Sequence, residues 1–178
     1  MQNEKTPIKA NRPLAPPERH VVLVAPEVHW NTGNVGRTCL GANAILHLVR
    51  PLGFSLDSRQ VKRAGLDYWP RVNLSVWDDF DAFLAAMAPA LGEICLFTKL
   101  APCSHHRMSL QPRMFLVFGS ETRGLPETIL NRFPEAHYHV PISREIRSLN
   151  LSTTVAVALY ESLRKARDWH AWKSITTD

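Results

Sequence analysis

The run M-F-L-V-F-G-S-E-T-R-G-L-P, residues 114–126, joins a continuous apolar segment to a short polar turn and a proline. An apolar run of strand length without alternation is typical of a strand buried on both faces of a sheet. Pro126 suits the first position of a helix, which we predict to continue through Phe133. The stretch therefore predicts a buried strand, a turn and a helix in succession.

The rest of the chain repeats this alternation of strands and helices. Apolar runs predict further strands at 20–25, 45–50, 73–77, 93–98 and 136–140. Capping residues and apolar periodicity predict helices at 34–44, 58–64, 80–88 and 150–169. Strands that alternate with helices indicate an α/β fold with a parallel sheet covered by helices on both faces.

One domain accounts for most of the chain. The 178 residues are 45% hydrophobic and 21% charged, which favours a folded domain over disorder. Residues 1–19 carry four prolines and little aliphatic pattern, so we predict a flexible N-terminal arm there. We assign the folded domain to 20–169 and a C-terminal tail to 170–178.

The net charge and the cysteine content limit which partners and which cell compartment are expected. The net charge of +5 favours an anionic partner such as nucleic acid, but it suits a mildly basic protein without one equally well. Three cysteines without C-x-x-C spacing argue against a disulfide framework and for a reducing cytoplasm. We also expect no secretory signal and no membrane span, since no apolar run is long enough.

The predicted topology gathers four loops. Carboxyl ends of parallel strands meet at one edge of the sheet, and open α/β sheets bind ligands there. We therefore expect the loops that start at Pro26, Thr98, Gly119 and Pro141 to lie together.

The first of these loops contains N-T-G-N-V-G-R, residues 31–37. Glycines let backbone N–H groups approach a ligand closely, and asparagine amides both donate and accept hydrogen bonds. Arg37 follows Gly33 by about one helical turn, so we expect it to point toward the same edge. The pattern also fits a helix start capped by asparagine with a surface arginine.

The third loop, G-S-E-T-R-G-L-P at 119–126, frames Glu121 and Arg123 with two glycines. It is compatible with a backbone cradle for a small polar ligand, and equally with a tight turn that contains a local ion pair.

The fourth segment, which leads into the predicted C-terminal helix, carries two arginines and several capping residues. Arg144 and Arg147 precede Ser148, Asn150 and Ser152. One cap is enough for a helix. A helix N-terminus surrounded by cations also suits an anion such as phosphate.

Other motifs are missing or weak. His137 and His139 alternate on a predicted strand, but no third ligand stands near them, and we predict no metal cofactor. The chain has no G-x-S-x-G elbow, no phosphate-binding loop and no dinucleotide fingerprint.

Taken together, five ordered segments resemble the SPOUT superfamily of RNA methyltransferases. They are N-T-G-N-V-G-R (31–37), L-H-L-V-R-P-L-G-F (46–54), K-R-A-G-L-D-Y (62–68), F-G-S-E-T-R-G-L-P (118–126) and the segment 140–161. The likeness is strongest to the small bacterial tRNA (cytidine/uridine 34-2′-O)-methyltransferases and covers roughly residues 20–168.

The resemblance implies a fold, a reaction and an assembly. The C-terminal part of the sheet would form a trefoil knot, which periodicity alone never indicates. S-adenosylmethionine would donate a methyl group to the ribose of the wobble nucleotide of a tRNA. The protein would be a homodimer with the last helix at the interface.

The resemblance also implies site residues. The implied donor contacts are Phe97, Gly119, Val140 and Ser148. The implied catalytic or polar site residues are Arg37, Asn34, Glu121, Ser148 and Asn150. Arg147 and Tyr160 match positions implicated in RNA engagement or catalysis, and the cations Arg123 and Arg144 join them as candidate RNA contacts.

The chain departs from the family pattern in several places. Ser120 and Leu100 stand where proline and glycine are common, and His29-Trp30 places a bulky aromatic before the first motif. These departures bear on the choice of RNA more than on the chemistry. Three other functions stay open: methylation of another tRNA position or of ribosomal RNA, RNA binding by a degenerate site, and nucleotide binding by an ordinary α/β protein.

Overall fold

The computed structural model describes residues 17–56 and 67–164. Seven strands follow in chain order: β1 Glu18–Val24, β2 Ile45–Val49, β3 Leu74–Trp77, β4 Ile94–Phe97, β5 Cys103–Ser104, β6 Arg113–Phe118 and β7 His137–His139. The α-helices are α1 His29–Gly41, α2 Phe80–Met87, α3 Glu127–Leu130 and α4 Leu151–Arg164, and 3-10 turns occupy Trp69–Arg71 and His105–Arg107.

All seven strands form one sheet in the order β3-β2-β1-β6-β4-β7-β5, and every pair is parallel. The strand ends are level, because Leu23 and Phe97 both pair with Phe118 and Val24 pairs with Val49. The prediction of a parallel α/β sheet is confirmed.

Apolar side chains fill both faces of the sheet. On one face, Leu23, Leu46 and Leu116 of the strands pack with Val35 of α1 and Leu159 of α4. On the other, residues of the alternate parity pack with Phe83 of α2 and Ile129 of α3. Because successive strand residues point to opposite faces, continuous apolar runs are what such a two-sided core requires. Helices therefore cover both faces, as predicted.

A chain of hydrogen bonds crosses the second face, and we call it the histidine network: Glu18, His20, His47 and Trp77. Trp77 Nε1 lies 3.0 Å from His47 Nδ1, His47 Nε2 lies 2.8 Å from His20 Nδ1, and His20 Nε2 lies 2.7 Å from Glu18 Oε1. An indole only donates, so His47 Nδ1 accepts and each remaining ring N–H donates toward Glu18. Burial lowers the pKa of His47 to about 3 and also lowers that of His20. Both rings are thus neutral and fully paired.

The first helix begins earlier than predicted. It spans His29–Gly41 rather than 34–44, so the glycine-rich stretch is helical and not a loop. Glycine disfavours helices by itself. Gly36 offsets this cost by packing, because a Cβ atom there would lie 2.5 Å from the ring of Trp69.

The sheet also begins earlier than predicted, at Glu18 rather than residue 20. The strand therefore includes Arg19, which is buried and donates from its guanidinium to the backbone of Glu18, Gln111 and Pro112 and to Ser162 of α4. A charged residue at a strand start looks like part of a solvated arm, and this contact set is what makes it a core residue.

The other boundaries shift by a few residues. Helix α3 is shorter than the predicted 126–133, and the two-residue strand β5 was not predicted. The predicted helix at 58–64, the arm through residue 16 and the tail at 170–178 lie outside the described residues.

Candidate active site

The four predicted loops do lie at one edge of the sheet. Strands β1, β6, β4 and β7 are consecutive in the sheet and parallel, so the segments after Val24, Phe118, Phe97 and His139 leave from the same edge. We call this the carboxyl edge.

Three of its elements are joined by side-chain hydrogen bonds, which we call the edge network: Glu121, Asn31 and Asn150. Asn31 Nδ2 donates to Glu121 Oε1 over 2.9 Å, and Asn150 Nδ2 donates to Asn31 Oδ1 over 2.9 Å. The network ties the turn after β6 to the first turn of α1 and to the start of α4. Only 5% of Asn31 is exposed, so it lies at the centre of this junction.

Asn150 has two roles at once. Its Oδ1 accepts from the backbone N–H and the hydroxyl of Ser152, at 2.8 and 2.7 Å, and its carbonyl accepts from Thr154 N–H. It therefore caps α4, as the capping interpretation expected. Its amide nitrogen donates to Asn31 and so connects the cap to the rest of the edge network.

A second pair of contacts fixes the turn that carries Glu121. The backbone N–H of Glu27 donates to Glu121 Oε2 over 2.8 Å, while the carboxylate of Glu27 accepts from the N–H and the hydroxyl of Thr122. Gly53 completes the packing, because a Cβ atom there would lie 2.6 Å from the carbonyl oxygen of Glu27. Both oxygens of Glu121 are thus occupied by N–H donors, and the alternative of a local ion pair with Arg123 is not what the structure forms.

Arg37 lies two turns along α1 from the start of the helix and is exposed. Its guanidinium carbon is 4.7 Å from the ring centroid of Tyr68, a distance typical of a cation–π contact. The hydroxyl of Tyr68 donates to the carbonyl of Gly33 over 3.0 Å. Burial raises the pKa of Tyr68, so the phenol stays neutral and keeps donating. Arg37 is therefore held on a ring that is itself anchored to the same helix.

The implied donor contacts are neighbours in the sheet. Phe97 ends β4, Gly119 follows β6 and Val140 follows β7, and β4 lies between the other two strands. A Cβ atom at Gly119 would lie 1.9 Å from the carbonyl carbon of Gly124, so the turn closes directly onto this strand end. Residues 141–148 follow β7 and are exposed along their whole length. Adjacent strand ends and an open backbone segment fit a ligand that is held largely by backbone groups.

The remaining predicted residues divide into two groups. Arg123, Arg144, Arg147 and Ser148 are exposed and belong to segments that leave the carboxyl edge. Tyr160 does not join them, because it lies ten residues after Asn150, about 15 Å along α4, and its hydroxyl is 3.7 Å from the Cβ position of Gly41 at the far end of α1.

Asn34 is also outside the edge network. Asn34 is exposed on α1, and its backbone carbonyl accepts a hydrogen bond from the Thr38 hydroxyl. The buried asparagine of the motif is Asn31, which the sequence pattern indicates only as part of a loop. The sequence pattern does not indicate the roles of Glu27, Thr122 and Tyr68 either. Tyr68 belongs to the segment 62–68, but nothing in the sequence places its ring under Arg37.

Two further observations concern the described segments. His137 Nε2 and His139 Nδ1 lie within hydrogen-bond distance of the carbonyls of Leu130 and Ala101, and no group of three or more His, Cys, Asp or Glu side chains in 17–56 and 67–164 is placed to hold a metal ion. In the same residues, no helix is long and apolar enough to cross a membrane.

The all-parallel sheet, with its polar junction and glycine turn at the carboxyl edge, defines an α/β domain with a candidate ligand site at that edge. The chain belongs to the SpoU rRNA Methylase family, whose match covers residues 18–160.

Relatives and solved structures extend this membership. A tRNA (cytidine(34)-2′-O)-methyltransferase of Burkholderia ambifaria is 48% identical over 148 residues, which are 83% of this chain and 95% of that protein. A solved structure described as giving insights into the 2-OH methylation of C/U34 on tRNA is similar with a TM-score of 0.77 and 43% identity, over 85% of this chain and 97% of that chain. An AdoMet-bound rRNA methyltransferase from Sinorhizobium meliloti shares the fold, with a TM-score of 0.73 and 22% identity over 83% of this chain and 56% of that one.

Proposed function

We propose that this protein transfers a methyl group from S-adenosylmethionine to the 2′-hydroxyl of nucleotide 34, a cytidine or uridine, in the anticodon loop of a tRNA. The observation that carries the proposal is the 48% identity, over nearly the whole of the relative, to a tRNA (cytidine(34)-2′-O)-methyltransferase. The edge network, Arg37 and the glycine turn supply a matching site in this chain.

When bound, S-adenosylmethionine supplies an electrophilic methyl group on a positively charged sulfur. Phe97, Gly119, Val140 and Ser148 would hold it at the carboxyl edge. The exposed backbone after Val140 and the tight turn at Gly119 support this placement.

Arg37 acts on the RNA. A guanidinium hardly ever loses its proton, so Arg37 serves as an electrostatic stabiliser of the negative charge that develops on the 2′-oxygen. Its contact with Tyr68 restricts the side chain before the substrate arrives. A charge fixed in advance costs no reorganisation during the reaction.

The edge network positions the other groups of the site and does not react itself. Both oxygens of Glu121 already accept hydrogen bonds, so it is poorly placed to take the proton of the 2′-hydroxyl. The network fixes α1, which carries Arg37, relative to the turn at Gly119 and the start of α4. Alignment of this kind contributes several kcal/mol in reactions that need an in-line geometry, on the order of 7–11 at the upper end.

The cations of the edge bind the RNA backbone. Arg123, Arg144 and Arg147 are exposed there, and the net charge of +5 favours a polyanion. Binding to any RNA should therefore weaken as salt is added.

We also propose a homodimer, a trefoil knot and a cytoplasmic location. Val157 and Tyr160 are 37% and 41% exposed on the outer face of α4, while Val155, Leu159 and Leu163 on its inner face are buried. A helix that is apolar on both sides suits a second partner. The knot and the location are proposed from the family to which the chain belongs.

The position of the methyl group in the RNA distinguishes the proposed target from the alternative targets. The enzyme would be incubated with labelled S-adenosylmethionine and total tRNA, and 2′-O-methylation mapped by resistance to alkaline cleavage. Methylation at nucleotide 34 is expected. Methylation at another tRNA position or in ribosomal RNA would show that the proposed target is wrong, while the proposed reaction would still hold. Light scattering at micromolar concentration tests the dimer, and a monomer mass would refute it.

A further inference from the structure

A large aromatic side chain is exposed next to the buried centre of the site. Trp30 is 62% exposed, whereas its neighbour Asn31 is 5% exposed and hydrogen-bonded to Glu121 and Asn150. The ring contact recorded for Trp30 is with His29, edge to face at 4.8 Å between centroids. An indole left in water at the rim of a site loses apolar burial that most tryptophans obtain.

Trp30 shares a face of α1 with two polar residues of the site. Trp30, Asn34 and Arg37 follow the spacing i, i+4, i+7, and all three are exposed. Seven residues span about 10 Å along a helix axis, which is the scale of a single nucleotide. The face therefore presents an aromatic plane, an amide and a cation in a row.

A second copy of this chain is the other candidate to cover Trp30. The apolar patch expected at a dimer interface consists of Val157 and Tyr160 beside Gly41. Gly41 lies eleven residues along α1 from Trp30, about 16 Å away at the opposite end of the helix. Trp30 instead lies at the edge that carries the exposed arginines 123, 144 and 147. The carboxylates of Glu27 and Glu121 at this edge already accept hydrogen bonds from Thr122 and Asn31. The exposed arginines also outnumber the exposed Glu145, so the edge favours a polyanion over a second apolar surface.

We propose that Trp30 stacks on an unpaired base of the RNA loop, next to the ribose that Arg37 contacts. This inference rests on the proposed function, since it assigns the base-contacting surface of the same site. Unpaired bases are commonly held by stacking on aromatic side chains. The indole thus selects RNA whose target nucleotide is splayed out of a helix.

Single-turnover methylation of total tRNA, at increasing RNA concentrations, tests the proposal with Trp30→Ala and Trp30→Phe. Trp30→Ala should raise the half-saturating RNA concentration at least about 5-fold, as expected for the loss of one base stack, and leave the rate at saturation near wild type. Trp30→Phe keeps an aromatic face, so its half-saturating RNA concentration should lie between those of wild type and Trp30→Ala. Leu91→Ala removes a different exposed apolar side chain, in the turn that precedes β4 at the opposite edge, and should behave as wild type.

Tryptophan fluorescence gives a second readout that does not need turnover. RNA should quench wild-type emission more than that of Trp30→Phe, which retains the other four tryptophans. Unchanged half-saturation in Trp30→Ala would overturn the proposal. So would its conversion to a monomer while wild type is a dimer, because a second copy would then be what covers Trp30. RNA could quench the emission of Trp30 in the wild-type protein without being methylated. In that case the proposed function would be refuted and the proposed stacking surface would be kept.

Discussion

The histidine network starts on β1, and the edge network lies beyond the end of the same strand. Glu18 and His20 open β1, and Asn31 follows its end on α1. In the histidine network the two imidazoles are 0% and 1% exposed. In the edge network, a buried Asn31 joins a half-buried Glu121 to an exposed Asn150.

The two networks differ in whether a hydrogen-bonding group is left without a protein partner in the described part of the chain. The indole N–H of Trp77 closes one end of the histidine network and the carboxylate of Glu18 accepts at the other, so each ring nitrogen has a partner. The edge network uses one N–H of the Asn150 amide, and the second has no partner among residues 17–56 and 67–164. A closed polar chain specifies strand pairing. The edge network leaves one donor of an exposed side chain over, which is the group that the proposed RNA or methyl donor could use.

The largest expected effect is that of Arg37→Ala. Loss of one preorganised electrostatic donor typically lowers the rate by about 10²–10³, and single-turnover methylation at saturating RNA should show a loss of this size. Donor affinity measured by calorimetry should stay near wild type, because Arg37 is on α1 and not at the strand ends. Arg132→Ala, which removes a surface arginine paired with Asp81, serves as the control. A wild-type rate for Arg37→Ala would remove it from the mechanism.

Glu121→Gln should have the next largest effect. Its two oxygens accept from Glu27 N–H and from Asn31 Nδ2, and a glutamine offers an acceptor to only one of them. A hydrogen bond to a charged group contributes about 1.5–3 kcal/mol, so we expect a rate roughly 10- to 100-fold lower at saturation.

The edge network also offers a rescue for that variant. In Glu121→Gln combined with Asn31→Asp, the new amide can accept from Glu27 and donate to the new carboxylate, which accepts from Asn150. Recovery of most of the lost rate in single-turnover kinetics would confirm the positioning role. If the double variant were slower than Glu121→Gln alone, a direct chemical role for the Glu121 carboxylate would be favoured.

The sequence predicted the sheet and the edge better than the site contacts. Continuous apolar runs such as M-F-L-V-F report burial on both faces, and burial on both faces requires helices on both sides. Parallel order then brings the loops together without any further information. The error at α1 came from interpreting Gly33 and Gly36 as groups of a ligand-binding loop, since the packing of Trp69 on Gly36 is invisible in one sequence.

The contacts that define the site join residues far apart in the chain. Asn31 and Asn150 are 119 residues apart, and Arg37 meets Tyr68 only through the fold. Local patterns show that Asn150 can cap a helix, but they do not show which way its amide points. The histidine network was not predicted for the same reason, because His20 and His47 look like surface residues within apolar strands.

A smaller effect, on stability and not on rate, is expected for His47→Leu. The change leaves His20 Nδ1 without a donor and Trp77 Nε1 without an acceptor, and an unsatisfied buried group costs about 1–3 kcal/mol. Denaturant unfolding should show a loss of that size in the free energy of unfolding. The saturating methylation rate of the folded protein should stay within about 2-fold of wild type, because the histidine network shares no hydrogen-bond partner with the edge network among the described residues.

The same variant should change the pH dependence of stability. The pKa of His47 is lowered to about 3 in the folded protein, against about 6.5 for an unperturbed histidine. Below about pH 6.5 the unfolded chain binds the proton first, so wild type loses up to about 1.4 kcal/mol of stability per pH unit through this residue as pH falls toward its folded value. His47→Leu lacks this contribution and should lose stability less steeply between about pH 6 and 4. Equal slopes would show that His47 does not titrate on unfolding.

The smallest expected effect is the coupling between the two networks. Four residues of extended strand separate His20 from Val24, about 13 Å, and the edge network begins beyond that point without sharing a partner with the histidine network. Effects at separated sites without common partners add to within about 0.3–0.5 kcal/mol. The free energies of unfolding of Glu121→Gln, His47→Leu and the double variant should therefore close a cycle within that margin, and the same holds for their rates at saturation. A coupling above about 1 kcal/mol would mean that β1 transmits strain from one end to the other, so that the closed network also sets the geometry of the site.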